Sequence, residues 1–137
     1  FECAALFLVR AHNALGWRCY APGLGDGAIE RLNLPLGGSS SFQVASDSGK
    51  SYVGAPPSTG HPMETELWKQ IALEREPKSL AVVPVLISGR VINLLYVHAF
   101  EGEEIDDEQV HQLEDLCDRS GQAYRRLIAA SKAQNSD

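Results

Sequence analysis

The 137 residues, 44% hydrophobic and 22% charged, have the make-up of one globular domain and exclude disordered, fibrous and collagen-like chains. Eighteen acidic against twelve basic side chains leave a formal charge of -6, the wrong sign for a polyanion, so neither nucleic acid nor an anionic membrane is an expected partner. The longest apolar runs, Ala4 to Val9 and Ala81 to Ile87, are under half of the ~20 residues that cross a bilayer, and the chain reads as cytoplasmic.

In chain order, Phe1 to Arg10 is apolar at nearly every position, as in a strand central to its sheet. The chain starts without Met inside this run, which reads as a piece cut from a longer protein. Ala14 to Tyr20 is its expected hairpin partner. With His12 and Asn13 as the turn, Leu6 faces Cys19 and Cys3 falls opposite Pro22, so no disulfide joins the two cysteines. Cys3, Cys19 and Cys117 match no metal-binding spacing and read as small buried hydrophobes.

Pro22 to Gly27 is a glycine-rich turn, and Ala28 to Leu32 reads as one or two helical turns stopped by Pro35. Gly37 to Ser41 is a second loose stretch. Ser40 or Ser41 then caps a short helix carrying Phe42, Val44 and Ala45 and closed by Gly49, with a strand over Phe42 to Ser46 as the alternative. Ser51 to Gly54, bounded by Gly49 and Pro56-Pro57, has the composition of an edge strand. After Thr59 to Pro62, the spacing of Met63, Leu67, Trp68 and Ile71 predicts an amphipathic helix to Leu73 with Trp68 inward.

Leu80 to Ile87 and Arg90 to Val97 flank Ser88-Gly89 as a long hairpin, and Pro84 within it requires an outward amide or a bulge. From Asp106 the apolar residues recur with a period near 3.6, through Val110, Leu113, Leu116, Cys117, Ala123, Tyr124, Leu127 and Ile128. This predicts a helix of about 25 residues, opened by a capping box of Asp106 and Gln109. One domain over 1–132 is expected, with a frayed tail over 133–137.

The segment SLAVVPVLISGRVINLLYVHAF, Ser79 to Phe100, resembles a characteristic hairpin of GAF domains. EIDDEQVHQLEDLCDRSGQAYRRLI is similar to the family's last helix, AALFLVRAHNALGWRCY to its first two strands, and SFQVASDSGKSYVG to its short helix and edge strand. The resemblance implies an α+β fold: a central antiparallel sheet of five to six strands, helices on one face, and loops and short helices on the other walling a small-molecule pocket. It also implies a helix before the first strand, which this sequence lacks. Asn93 stands where many members carry glycine, and a buried amide there must find a partner. No ordered cyclic-nucleotide signature is visible, and no cysteine precedes a histidine as in bilin-attaching members. The expected register of Cys3 and Cys19 disfavours the redox chemistry of the family's methionine-sulfoxide reductases.

The four histidines, His12, His61, His98 and His111, are not spaced as metal ligands. GLGDG over 23–27 is neither a dinucleotide nor a phosphate loop. The acidic run Glu101 to Glu108 lacks the spacing of a calcium loop, and no Ser, His and Asp set is placed for catalysis. No enzyme activity and no particular cofactor are therefore expected. The candidate ligand contacts are Arg18, Tyr52, Trp68, Asn93, Tyr96 and His98, the last placed two residues from Tyr96 on one strand face. The resulting expectation is a non-enzymatic regulatory module attached to an output domain, signalling ligand occupancy through its terminal helix. The alternative is an interaction domain with a self-filled pocket, forming a homodimer through that helix.

Overall fold

The computed structural model describes residues 1–37, 40–57 and 62–134. Strands β1 (Cys3–Arg10) and β2 (Asn13–Tyr20) form the first hairpin. Its turn is Ala11-His12, with φ of 48° and 65°, the left-handed pair whose twist suits a two-residue hairpin. Asn13 holds the turn by donating from Nδ2 to the carbonyl of Ala11 at 3.0 Å. The turn thus lies one residue earlier than expected, and a register shift follows between Leu6 and Phe7. Ala5 faces Cys19 and Leu6 faces Arg18, so Cys3 and Cys19 share one face as diagonal neighbours. They are not directly opposite one another, as expected, although the register is one residue off the expected one.

Ala28 to Leu32 is not helical. Ala28, Glu30 and Leu32 donate to the carbonyls of Gly25, Gly27 and Ile29, three residues back in each case, and fully buried Ile29 anchors the loop. Gly16 permits this packing: its N–H donates to Leu32 at 2.8 Å, and a Cβ there would overlap the carbonyl of Ile29. Pro35, expected only to stop a helix, ends a strand the sequence did not reveal, β3 (Asn33–Pro35), at the sheet edge where its missing N–H is tolerated.

Helix α1 (Ser41–Ser48) forms in preference to the strand alternative because both ends are capped. Ser40 Oγ accepts from the N–H of Gln43 at 3.0 Å, and Gly49, at φ 67°, donates to Ala45. β4 (Tyr52–Gly54) is the other edge strand. Helix α2 (Pro62–Gln70) is shorter than predicted because Ala72 adopts φ 55°. Ala72 and Leu73 donate to Lys69 and Trp68, the paired bonds of a Schellman ending.

β5 (Leu80–Ile87) and β6 (Arg90–His98) form the predicted hairpin about Ser88-Gly89, and the irregularity expected beside Pro84 falls between Val85 and Leu86. The six strands pair antiparallel in the order β3-β2-β1-β6-β5-β4, placing β1 and β6 at the centre. Helix α3 (Asp107–Gln134) begins with the predicted box: Asp106 N–H donates to Gln109 Oε1 at 3.0 Å, and Gln109 N–H to Asp106 Oδ1 at 2.8 Å. The helix continues through Gln134, two residues into the segment expected to fray; residues 135–137 lie outside the described residues, as does His61.

The sheet separates two apolar cores. On one face Phe7, Phe42, Leu67, Trp68, Leu80 and Tyr96 pack with α1, α2 and the 21–36 segment. On the other, Val83, Val85, Val97, Leu113 and Cys117 join β5 and β6 to α3. Side-chain alternation along β6 sends Tyr96 and His98 to the first face and Val97 to the second.

Candidate functional site

The first face carries a connected polar row inside the apolar core. Glu64, Leu67, Trp68 and Ile71 follow the helical period, so α2 turns all four toward the sheet. Trp68 Nε1–H donates to Tyr96 Oη at 2.9 Å, and Tyr96 Oη lies 2.8 Å from His98 Nδ1. Tyr96 also stacks on Phe42, with ring centroids 5.7 Å apart, and Phe7 meets Phe42 edge-on. Burial, the largest influence, raises the Tyr96 phenol well above its ordinary pKa. Burial first, and then the terminal ammonium, lower His98 to about 4, so its imidazole is neutral near pH 7.

His98 is 1% exposed, and its Nε2 has no hydrogen-bond partner; Glu2 Oε2 approaches it no closer than 3.8 Å. His98 is among the residues lining a cavity of about 380 Å³, within the range of small-molecule sites. Cys3 lines it too, Ala21 and Pro22 at the end of β2 form one wall, and residues 71–77 after α2 form the other. At the mouth Arg75 and Glu101 form an ion pair. The backbone N–H of Glu2 donates to the carbonyl of His98 at 3.1 Å, fixing the two residues side by side.

The structure thus brings together Trp68, Tyr96 and His98 of the six sequence candidates. Arg18 is instead exposed, paired with Glu30 at 2.7 Å and lying over Trp17. Tyr52 donates to the carbonyl of Ala55 at the far edge strand, and Asn93 donates from Nδ2 to the carbonyl of Phe7 at 3.2 Å, which answers its buried amide with backbone. None of these three lines the cavity.

Sequence reasoning missed Glu2 and Glu64. The second lay open to detection, because it falls inside the apolar stripe of α2. It is fully buried, and its Oε1 accepts from the N–H and Oγ–H of Ser41 at 2.6 and 2.5 Å, while Oε2 has no partner. Among the described residues no cluster of three or more potential ligands could hold a metal. All three cysteines are free and buried. Burial first, then the charges of Cys19 and Glu2, push Cys3 up to about 12, so its thiol stays protonated at neutral pH.

No family model matches the sequence, and no curated protein does. Solved structures do match the fold. Residues 122 to 287 of a methyl-accepting chemotaxis protein align with a TM-score of 0.74 and 16% identity, covering 95% of this chain and 81% of that one. The GAF-B domain of DevS from Mycobacterium smegmatis aligns with a TM-score of 0.68 and 13% identity, covering 98% and 86%. The reduced form of fRMsr from Staphylococcus aureus, a free methionine-R-sulfoxide reductase, aligns with a TM-score of 0.61 and 19% identity over 85% of this chain, which spans 66% of that one.

The reductase corrects one expectation. The lack of a legible catalytic set does not mean no enzyme: this architecture also carries enzymes, so the fold gives no support for excluding catalysis. The two cysteines remain out of direct register, yet they occupy one face of the hairpin as diagonal neighbours. Six antiparallel strands between a long terminal helix and a layer of short helices and loops, shared with GAF domains of signalling proteins, give this chain a GAF-like fold.

Proposed function

We propose that this chain is the sensory domain of a larger intracellular signalling protein, holding a small ligand in the cavity at His98 and passing occupancy to an attached output domain through α3. The observation that carries this reading is a cavity of about 380 Å³ lined by buried His98, whose Nε2 has no partner, an orphaned polar atom of a kind that costs about 1 to 3 kcal/mol. The signalling proteins among the structural neighbours support the sensory role, and three unpaired thiols suit a reducing compartment.

The route to α3 is short. His98 on the cavity side is flanked in β6 by Val97 and followed by Ala99, both packed in the α3 core with Ile105 and Leu113. A ligand that moves the end of β6 therefore acts on the helix seat. Native mass spectrometry and a thermal-shift screen against several hundred metabolites test the reading. A co-purifying compound, or a melting shift accompanied by changes in α3 amide resonances, supports it; no shift with any compound overturns it.

A second reading, dimerisation, is favoured by α3 itself. Its 28 residues span about 42 Å, beyond the roughly 30 Å of the strands it covers. Leu116, Ser120, Ala123, Leu127 and Ala130 then repeat at alternating steps of four and three, a coiled-coil seam, and Leu116 and Leu127 are exposed. Sedimentation of the wild type and of Leu127→Lys decides: a dimer lost in the variant supports pairing of α3 with its copy, and a monomeric wild type rejects it.

A further inference from the structure

We propose that residues 75–79 form a strap clasped to residues 99–105, so that the rim of the cavity and the first turn of α3 open and close as one unit. This deepens the reading of the cavity as a ligand site by naming the device that carries its state to the helix.

The first argument is placement. Past the end of α2, residues 71–77 line the cavity before the chain enters β5 at Leu80. Another part of the rim comes from His98, Ala99 and Glu101, where the chain leaves β6. Three ties join these segments: Arg75 to Glu101, Lys78 to Glu104 at 3.5 Å, and the N–H of Ile105 to Ser79 Oγ at 3.2 Å. All three share a separation of 26 residues, so the two segments run side by side in one register.

The second argument is what the ties hold at each end. Arg75 and Glu101 are exposed and both line the cavity, so their pair fastens its rim. Ser79 is buried: its carbonyl accepts from the N–H of Ala99 at 3.1 Å, and its hydroxyl holds Ile105. Ile105 shares the α3 core with Leu113 and stands directly before Asp106, the cap of the helix. Displacing the strap therefore pulls on the residue that seats the helix start. The third argument is strength. A lone exposed ion pair contributes little, because ordering two long side chains offsets it, whereas two pairs in register draw on segments already ordered by a buried hydrogen bond. Salt at 1 M screens the exposed pairs beyond about 3 Å, while burial shields the Ser79 tie, so the clasp can be loosened without cutting the coupling.

The test is amide hydrogen exchange of the whole chain, followed by NMR. The reporters are Leu73 on the rim, which donates to Trp68, Ile105 and Gln109 at the helix start, and Gly16, remote on β2, which donates to Leu32. Arg75→Glu with Lys78→Glu is expected to speed exchange at Leu73, Ile105 and Gln109 about five-fold relative to Gly16. Adding Glu101→Arg and Glu104→Lys restores both pairs with their signs exchanged and should return all three to within about two-fold of wild type. Raising NaCl from about 0.05 to 1 M should reproduce the acceleration in the wild type, with no substitution at all. In Ser79→Ala, the same charge reversal is expected to speed Leu73 and to leave the helix start where that variant alone puts it. Acceleration confined to Leu73 in the chain that keeps Ser79, no acceleration by reversal or salt, no recovery on exchange of signs, a helix start that still follows the rim in Ser79→Ala, or an equal rise at Gly16 overturns the inference. The measurement uses no ligand, so its failure leaves the cavity to the metabolite screen, and an empty screen leaves the clasp standing.

Discussion

Replacing Tyr96 by phenylalanine isolates the polar row from the packing around it. The ring stays, with its stacking on Phe42, and only the hydroxyl is lost. That oxygen is the acceptor for Trp68 Nε1–H and the partner of His98 Nδ1, both in the buried core, so one deletion breaks two hydrogen bonds at once. At about 1 to 3 kcal/mol for each of the two buried groups left without its partner, Tyr96→Phe should destabilise the domain by about 2 to 6 kcal/mol, a large share of the 5 to 15 kcal/mol that holds a typical domain folded. Equilibrium urea unfolding followed by far-ultraviolet circular dichroism measures it. Trp68→Phe supplies the second edge of a cycle: with the indole N–H already gone, removing the Tyr96 hydroxyl strips a partner only from His98 and should cost at least about 1 kcal/mol less. A Tyr96→Phe variant within about 0.5 kcal/mol of wild type would refute the row as a structural unit.

Three further outcomes follow from the same geometry. His98 titrates near 4 when folded against 6.5 when unfolded, so the unfolded chain binds more protons between those values. Its contribution of about 3 kcal/mol is present above pH 6.5 and lost as pH falls toward 4; urea midpoints across that window should fall more steeply for wild type than for His98→Phe, and parallel curves would contradict it. Gly121→Ala gains about 1 kcal/mol of helix propensity, but its Cβ would lie 2.5 Å from the carbonyl oxygen of Leu86, a backbone clash costing about 1 to 3 kcal/mol. The expected result is a net loss of about 1 kcal/mol by urea unfolding, and a stabilised variant would show that α3 is not seated that closely on β5. Ala72→Gly, at φ 55° in the ending of α2, should stabilise by about 0.5 kcal/mol, read as a rise in thermal midpoint.

Elements whose signals are local were legible in the residues. The caps Ser40, Gly49 and Asp106 with Gln109 each bond within three or four positions, so spacing alone places the ends they fix. Ser88-Gly89 likewise set its own turn. The first hairpin was less transparent, because Ala11-His12 and His12-Asn13 offer competing two-residue turns and the choice is made by register across the whole ribbon. β3 was hidden for a related reason. Three residues ending in proline carry no strand pattern, and Asn33–Pro35 is extended only because Gly16 admits the preceding loop onto β2. Of the site, the pairing of Tyr96 with His98 was readable from strand alternation, but Trp68 joins them from a separate helix, and Glu2 reaches the cavity from the opposite end of the chain.

What the sequence determined by itself is the set of amphipathic faces: which side of each helix and strand is apolar follows from side-chain periods of 3.6 and 2, and those periods are properties of the backbone. Which of those faces meet, and what is left unsatisfied where they meet, was decided only in three dimensions. An unpartnered nitrogen at His98, a thiol pair on one face and an overhanging α3 are all consequences of distances between residues far apart in the chain, and no local preference encodes such distances.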